Sequence, residues 1–288
     1  MKFAYFPGCS LNTTGLEYGW STRAVATALD ITLQEIPDWN CCGASSAHWT
    51  DDWLSLVLPA RNLALAEQMG LDVVAPCAGC FSRLRAAESV IRQPDRRAEL
   101  QEALGMPLNG EIKTCSLLDL LANRVGIPAI QNKVVKPLTG LRLVCYYGCL
   151  LVRPPGITGF DDPENPQSMD QLMKALGAAV LDWPCKTECC GGNLATPRTD
   201  LTLQISGNLL KTVYAAGAEA VVTACPLCMI NLDARQKEMT KRFGRLFQVP
   251  VFYFTELIGL SMGFAPETLG LNRHFTDTLP LLSGQALI

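Results

Sequence analysis

Short apolar runs alternate along the chain with longer amphipathic stretches, and the whole alternation occurs twice. Lys2–Phe6 is a compact apolar run closed by Pro7-Gly8, which predicts a buried strand. A helical pattern follows from about Glu17 to Leu29, then a β-rich alternation over Ile31–Ile36 that stops at Pro37. Asp51-Asp52 place acidic groups in the first turn of a long helix to about Met69, stopped by Gly70. Its apolar stripe reads as Leu54, Val57, Leu58 and Leu65. Asp72–Ala75 predicts a second buried strand, Phe81 to about Arg92 a helix, Gly110–Lys113 a strand, and Ser116–Asn123 a helix.

Gly126–Gly140, with Pro128 and Pro137, reads as a linker. The order then repeats. Leu141–Cys145 is a strand and ITGFDDPENP a polar loop. Ser168 with Gln171 predicts a capping box opening a helix to Leu176, closed by Gly177. Ala179–Asp182 is a strand, and Thr199 to about Ala216 a helix with Leu201, Ile205, Leu209 and Val213 on one face. Ala220–Thr223, a helix from Ile230 to about Lys241, Val251–Phe254 and a helix Glu256–Leu260 complete the pattern. Strands separated by helices pair in parallel through right-handed crossovers. The expected fold is α/β: two pseudo-symmetric repeats, residues 1–126 and 141–288, each a small parallel-sheet unit, joined by a linker over 127–140.

Cysteine spacing turns this alternation into a duplication. The first half carries Cys9, then the adjacent pair Cys41-Cys42, then Cys77-x-x-Cys80. The second carries Cys149, the pair Cys189-Cys190, and Cys225-x-x-Cys228. From pair to CxxC the gap has the same length in both halves. The gap before the pair is longer in the second half, where the Pro-rich loop near residues 154–166 can accept an insertion. Each group follows a predicted strand and precedes a helix, so all meet at the carboxyl edge of a parallel sheet, where ligands bind. Gly8, Gly43, Gly79, Gly148, Gly191 and Gly192 would let backbone approach closely there.

Composition narrows the chemistry. The chain has 288 residues, 49% of them hydrophobic, and a net charge of −3, which gives no reason to expect nucleic acid or an anionic membrane surface as partner. The start, MKFAYFPGCSL, lacks the apolar core of a signal peptide, and no apolar stretch is long enough to span a bilayer. A cytoplasmic protein without membrane insertion is expected. There, 13 cysteines point to metal rather than disulfides. Zinc and cubane clusters each take four ligands. Five per half points to an iron–sulfur cluster of unusual shape.

The doubled motif resembles the CCG-domain family, and CYYGCLLVRPP with DDPENPQSMDQLM is similar to the B subunit of heterodisulfide reductase. The resemblance implies two non-cubane [4Fe-4S] clusters. One would be held by Cys9, Cys41, Cys42, Cys77 and Cys80, the other by Cys149, Cys189, Cys190, Cys225 and Cys228. It also implies an oxidoreductase acting on a disulfide or thiol-bound small molecule, reducing it or reversibly forming it. Expected partners are a ferredoxin-like C subunit with cubane clusters and a flavin-containing A subunit. An alternative is an iron–sulfur electron-transfer component of a lactate- or glycolate-oxidising or other membrane-linked redox complex, without a disulfide substrate. A plain electron-relay module is a third reading.

Other residues carry weaker expectations. His48 follows the first cysteine pair and could protonate a product thiolate; a locally bonded loop histidine explains it too. Cys115, Cys145 and Cys185 lie outside the repeat, opposite Thr255, Tyr5 and Pro37, and read as buried thiols; Cys145 and Cys185, each four residues before a proposed ligand, could also serve as alternate ligands. Arg83 and Arg85 could face an anion or merely solvent. Trp39 and Trp183 could shield the clusters or simply pack.

Overall fold

The computed structural model describes residues 1–288. Eight short strands form two sheets: β1 Lys2–Tyr5, β2 Thr32–Glu35, β3 Val73–Ala75 and β4 Thr114–Ser116 in one, β5 Arg142–Tyr146, β6 Ala179–Val180, β7 Ala220–Thr223 and β8 Val251–Tyr253 in the other. The orders are β2-β1-β3-β4 and β6-β5-β7-β8, and every pairing is parallel. The expected α/β duplication is therefore present, with one strand order used twice. β3 and β7 are wholly buried, as strands covered by helices on both faces must be.

The Asp52–Met69 helix forms where the acidic start and terminal glycine placed it. Asp51 accepts the Leu54 N–H at 2.8 Å, and Gly70 closes the helix in the left-handed region. Its buried face shares Leu65 with the expected stripe and otherwise differs from it. Leu54 is 39% exposed, while Ala60, Leu63, Ala64 and Ala66 are buried. Leu201 is likewise exposed on the Thr199–Ala215 helix, whose covered face runs through Thr202, Ser206, Leu209, Leu210 and Val213.

Further differences have local causes. β4 lies at Thr114–Ser116 rather than Gly110–Lys113, because Glu67 captures the N–H groups of Asn109, Gly110 and Glu111 at 2.6, 2.6 and 3.0 Å and holds them in a loop. Ser168 makes no side-chain cap; Asp161 accepts the N–H groups of Gln167 and Ser168 instead. A helix over Pro94–Leu104, with only Leu100 buried, lacks the apolar period that would reveal it. The stretch read as linker contains a short helix, Ile127–Gln131, with Ile130 buried.

The two halves share one core: 80 buried hydrophobic residues drawn from both form a continuous cluster. The joint is reciprocal. The Leu16–Ala28 helix of the first half packs on the Phe254–Ser261 helix of the second, and Ser168–Ala175 packs on the helical segment after β4. Within the first contact Tyr18 stacks on Tyr253, centroids 4.1 Å apart, and Ser21 meets Thr255 at 2.7 Å. The buried Tyr18 hydroxyl lies 3.1 Å from the Pro76 carbonyl and 3.3 Å from that of Ala224. Those are the residues immediately before Cys77 and Cys225. No helix is long and apolar enough to cross a membrane.

Candidate metal centres

The ten cysteines of the repeat gather at the carboxyl ends of the two sheets, and equivalent atoms make equivalent contacts. Cys42 Sγ lies 3.3 Å from Cys80 Sγ, and Cys190 Sγ lies 3.5 Å from Cys228 Sγ. Gly43 N–H donates to Cys41 Sγ at 3.5 Å, and Gly191 N–H donates to Cys189 Sγ at 3.2 Å. Both glycines sit at positive φ, +74° and +78°. A Cβ built on Gly8 would stand 2.8 Å from Cys80 Sγ, and one on Gly148 would stand 3.0 Å from Cys228 Sγ. Close approach at these two points thus requires glycine.

Electrostatics separate the thiols within each set. Cys42 and then Cys9 hold the Cys41 thiol well below its ordinary pKa, while Cys41 pushes Cys9 up. In the second set Cys149 lowers Cys189 to about 6, helped by the Gly191 and Gly192 N–H groups. Thiols lowered in this way ionise readily for a metal. The sets also meet each other. Cys225 raises Cys77, whereas Cys228 and then Cys77 hold Cys225 low.

All five cysteines of the second set line one cavity of about 330 Å³. The rest of its wall includes Trp49, Ala78, Tyr147, Leu150, Leu194 and Leu227, and carries no charge. Two of those residues, Trp49 and Ala78, come from the first half. No three His, Cys, Asp or Glu side chains close on one point as a single metal ion requires. The donors of the second set instead ring a chamber. All-sulfur ligation, five donors per set and glycine-made clearance fit a polynuclear iron–sulfur group better than one zinc ion. The chamber adjoins another cavity of about 750 Å³, which shares Trp49, Gly192, Asn193, Leu194 and Leu227 with it.

The remaining candidates lie elsewhere. Cys115 is buried on β4 and pushed up to about 12 by desolvation. The strand register pairs it with Val74, as Phe252 pairs with Val222, so its counterpart is Phe252 rather than Thr255. Cys145 is buried on β5 and raised by burial; Cys185 is half-buried. His48 lines neither cavity, although its neighbour Trp49 lines both. Its Nδ1 is buried without a partner, and burial and then Arg83 lower its pKa. Arg85 pairs with Glu88 at 2.7 Å and donates to the Ile157 carbonyl, so it ties the halves together. Trp39 bonds Glu35, and Trp183 bonds the Cys145 carbonyl. Tyr18, Trp49, Asn231 and Arg235 carry no motif; Asn231 and Arg235 follow Cys228 within the second half, whereas Trp49 comes to the second set only when the first half docks.

The family model described as "Cysteine-rich domain", CCG, matches residues 3–85 and 143–233. This chain belongs to the CCG cysteine-rich domain family. It is 38% identical over 97% of its length, and 99% of the relative's, to a protein of Wolinella succinogenes named 8-methylmenaquinol:fumarate reductase membrane anchor subunit. It is 28% identical over 98% of its length, and 96% of the relative's, to the B subunit of the ferredoxin:CoB-CoM heterodisulfide reductase of Methanosarcina mazei. The resemblance to that B subunit is thereby borne out. A crystal structure of a hypothetical protein from Helicobacter pylori superposes with a TM-score of 0.76 at 13% identity. The match covers 96% of this CCG protein and 52% of that chain, and the two share the fold.

Proposed function

We propose that this CCG protein is the iron–sulfur component of a multi-subunit redox complex on the cytoplasmic side of a membrane. Its two five-cysteine sets would each hold a non-cubane [4Fe-4S] cluster, and a hydroquinone would exchange electrons beside the second. Residues 1–126 and 141–288 would act as the two cluster-bearing repeats. Bound clusters would supply two one-electron centres for a two-electron partner. One observation carries the reading: the second cysteine set lines an uncharged chamber that adjoins a larger cavity, whereas no cysteine of the first set lines either space. A mostly apolar ring suits such a wall, and the full-length relative with 38% identity is named for a methylmenaquinol reaction.

The chain's own groups supply the rest. Trp49 and Leu227 give apolar surface to both the chamber and the larger cavity beside it. His48, whose pKa burial and then Arg83 lower, packs beside Trp49 with ring centroids 5.2 Å apart and is the candidate proton acceptor. No helix of the chain is long and apolar enough to cross a membrane, so the proposal seats the protein there through its partners.

The second reading is disulfide cleavage, as in heterodisulfide reductase. It is favoured by Cys77 and Cys225 meeting between the sets, where two sulfurs could be held. Its partners would be a ferredoxin-like C subunit and a flavin-containing A subunit.

Anaerobic iron and sulfide quantitation with EPR separates these. Addition of menadiol to the oxidised, loaded protein should generate the reduced-cluster signal. No response to menadiol, with a new paramagnetic signal on adding a thiol, would transfer the assignment to disulfide chemistry.

A further inference from the structure

Two polar side chains in the wall of the larger cavity each carry a buried atom for which the fold provides no partner. Asn231 is 1% exposed. Its amide nitrogen is committed: Nδ2 donates to the Cys190 carbonyl at 3.2 Å and approaches Cys190 Sγ at 3.6 Å. Both of those neighbours are acceptors, which fixes the amide orientation. Oδ1 is therefore left as a buried acceptor with nothing to accept from. One helical turn later Arg235 spends Nη2 on the Ala195 carbonyl at 3.1 Å, while Nε is a buried donor without an acceptor. Residues four apart share a helix face, and both line the cavity. Leaving such groups unpaired costs about 1–3 kcal/mol each. An acceptor and a donor on one wall, next to a cysteine of the second set, describe the hydrogen-bonding pattern of one kind of ligand.

We propose that Asn231 and Arg235 form a ring-oxygen clamp that binds the reduced form of a quinone in preference to the oxidised form. This rests on the hydroquinone reading above and adds residues and redox selectivity to it. A hydroquinone hydroxyl donates to Asn231 Oδ1, and a ring oxygen accepts from Arg235 Nε. Oxidation of the ring gives up two electrons, which the two bound clusters would take one each, and two protons to water; the hydroxyl hydrogen is gone, so Asn231 Oδ1 is orphaned again while the bond from Arg235 remains. The oxidised ring thus loses one of two bonds and leaves. The wall from the first half, Ser45, Ser46 and Trp49, closes over the ring. The first half has no such clamp. Counting from Cys80 as from Cys228, its equivalents of Asn231 and Arg235 are Arg83 and Ala87.

The test is anaerobic equilibrium dialysis of the iron-loaded protein with menadiol and with menadione, alongside iron quantitation of every variant. The wild type should bind menadiol about tenfold more tightly than menadione, the value of one well-made bond. Asn231→Leu should erase that preference and Asn231→Asp, which keeps the acceptor, should retain it. Arg235→Gln should weaken both ligands by a similar factor. Equal binding of the two redox forms by the wild type, or a preference untouched by Asn231→Leu at full iron content, overturns the clamp and leaves the hydroquinone reading standing. Failure of the fully loaded wild type to bind either form overturns both.

Discussion

Around Cys42 and around Cys190 the backbone is built alike, down to the glycine N–H on the first cysteine of each pair and the glycine that clears the last sulfur of each set. One turn further out the likeness ends. Arg83 and Ala87 stand where the second half has Asn231 and Arg235. Glu88, gripped by Arg85, Arg92 and the Thr114 N–H, stands where the second half has Gln236 bonded to both backbone groups of Val249. Duplication thus preserved what holds the thiols and released what surrounds them. Such a pattern is expected if both sets bind the same group and only one faces a small molecule.

The sharpest way to break the comparison is to spoil the clearance on one side at a time. Gly8→Ala and Gly148→Ala each drive a Cβ into a sulfur at a position of φ +67°. Each should halve bound iron and sulfide and remove one of two EPR signals, and the double substitution should remove both. Loss of all iron from either single variant would show that the sets do not load independently.

A smaller difference concerns pH. The Phe254–Ser261 helix carries Glu256 in its first turn, fully buried against His274; its counterpart Asp119 is partly exposed and accepts from Asn123. Burial alone would lower His274, but the Glu256 carboxylate and Asp233 outweigh it and hold the pKa at about 9, above the ordinary 6.5. A raised folded-state pKa adds stability in full below about 6.5 and loses it as pH climbs through about 9. The thermal midpoint should fall over that interval, and His274→Gln should flatten the fall. An unchanged pH profile in the variant would remove His274 from the account.

The smallest effects test the helix faces. Leu54→Ser and Leu201→Ser, at exposed positions on related helices, should each change stability by under about 0.5 kcal/mol. Leu63→Ala and Leu210→Ala, both buried, should each cost about 2–5 kcal/mol in denaturant melts.

Those helices show why some of the fold was legible and some was not. Cysteine spacing and strand order could be read because each depends on local sequence and occurs twice. Of the two expected stripes Leu65, Leu209 and Val213 are buried, but Leu54 and Leu201 misled, because the faces that pack also draw on Ala, Ser, Thr and Asn62, which carry little hydropathy. β4 was misplaced because Glu67, far earlier in the chain, holds the stretch before it. The ten thiols were visible as a motif. The cavity beside them was not, since Trp49 and Asn231 become neighbours of one space only after the halves dock.

The Tyr18 hydroxyl has a consequence for how the molecule is made. It reaches the carbonyl before Cys225, 206 residues away, and its ring rests on Tyr253. Ser21 beside it waits for Thr255, 234 residues further on. A chain emerging from the ribosome exposes Cys9 first, yet the helix that follows Cys9 finds its seat only when the Phe254–Ser261 helix has been synthesised. Contacts of such long sequence separation form late. Completion of the first cysteine set would therefore wait on translation of the second half, so that both sets are finished together on a nearly complete polypeptide.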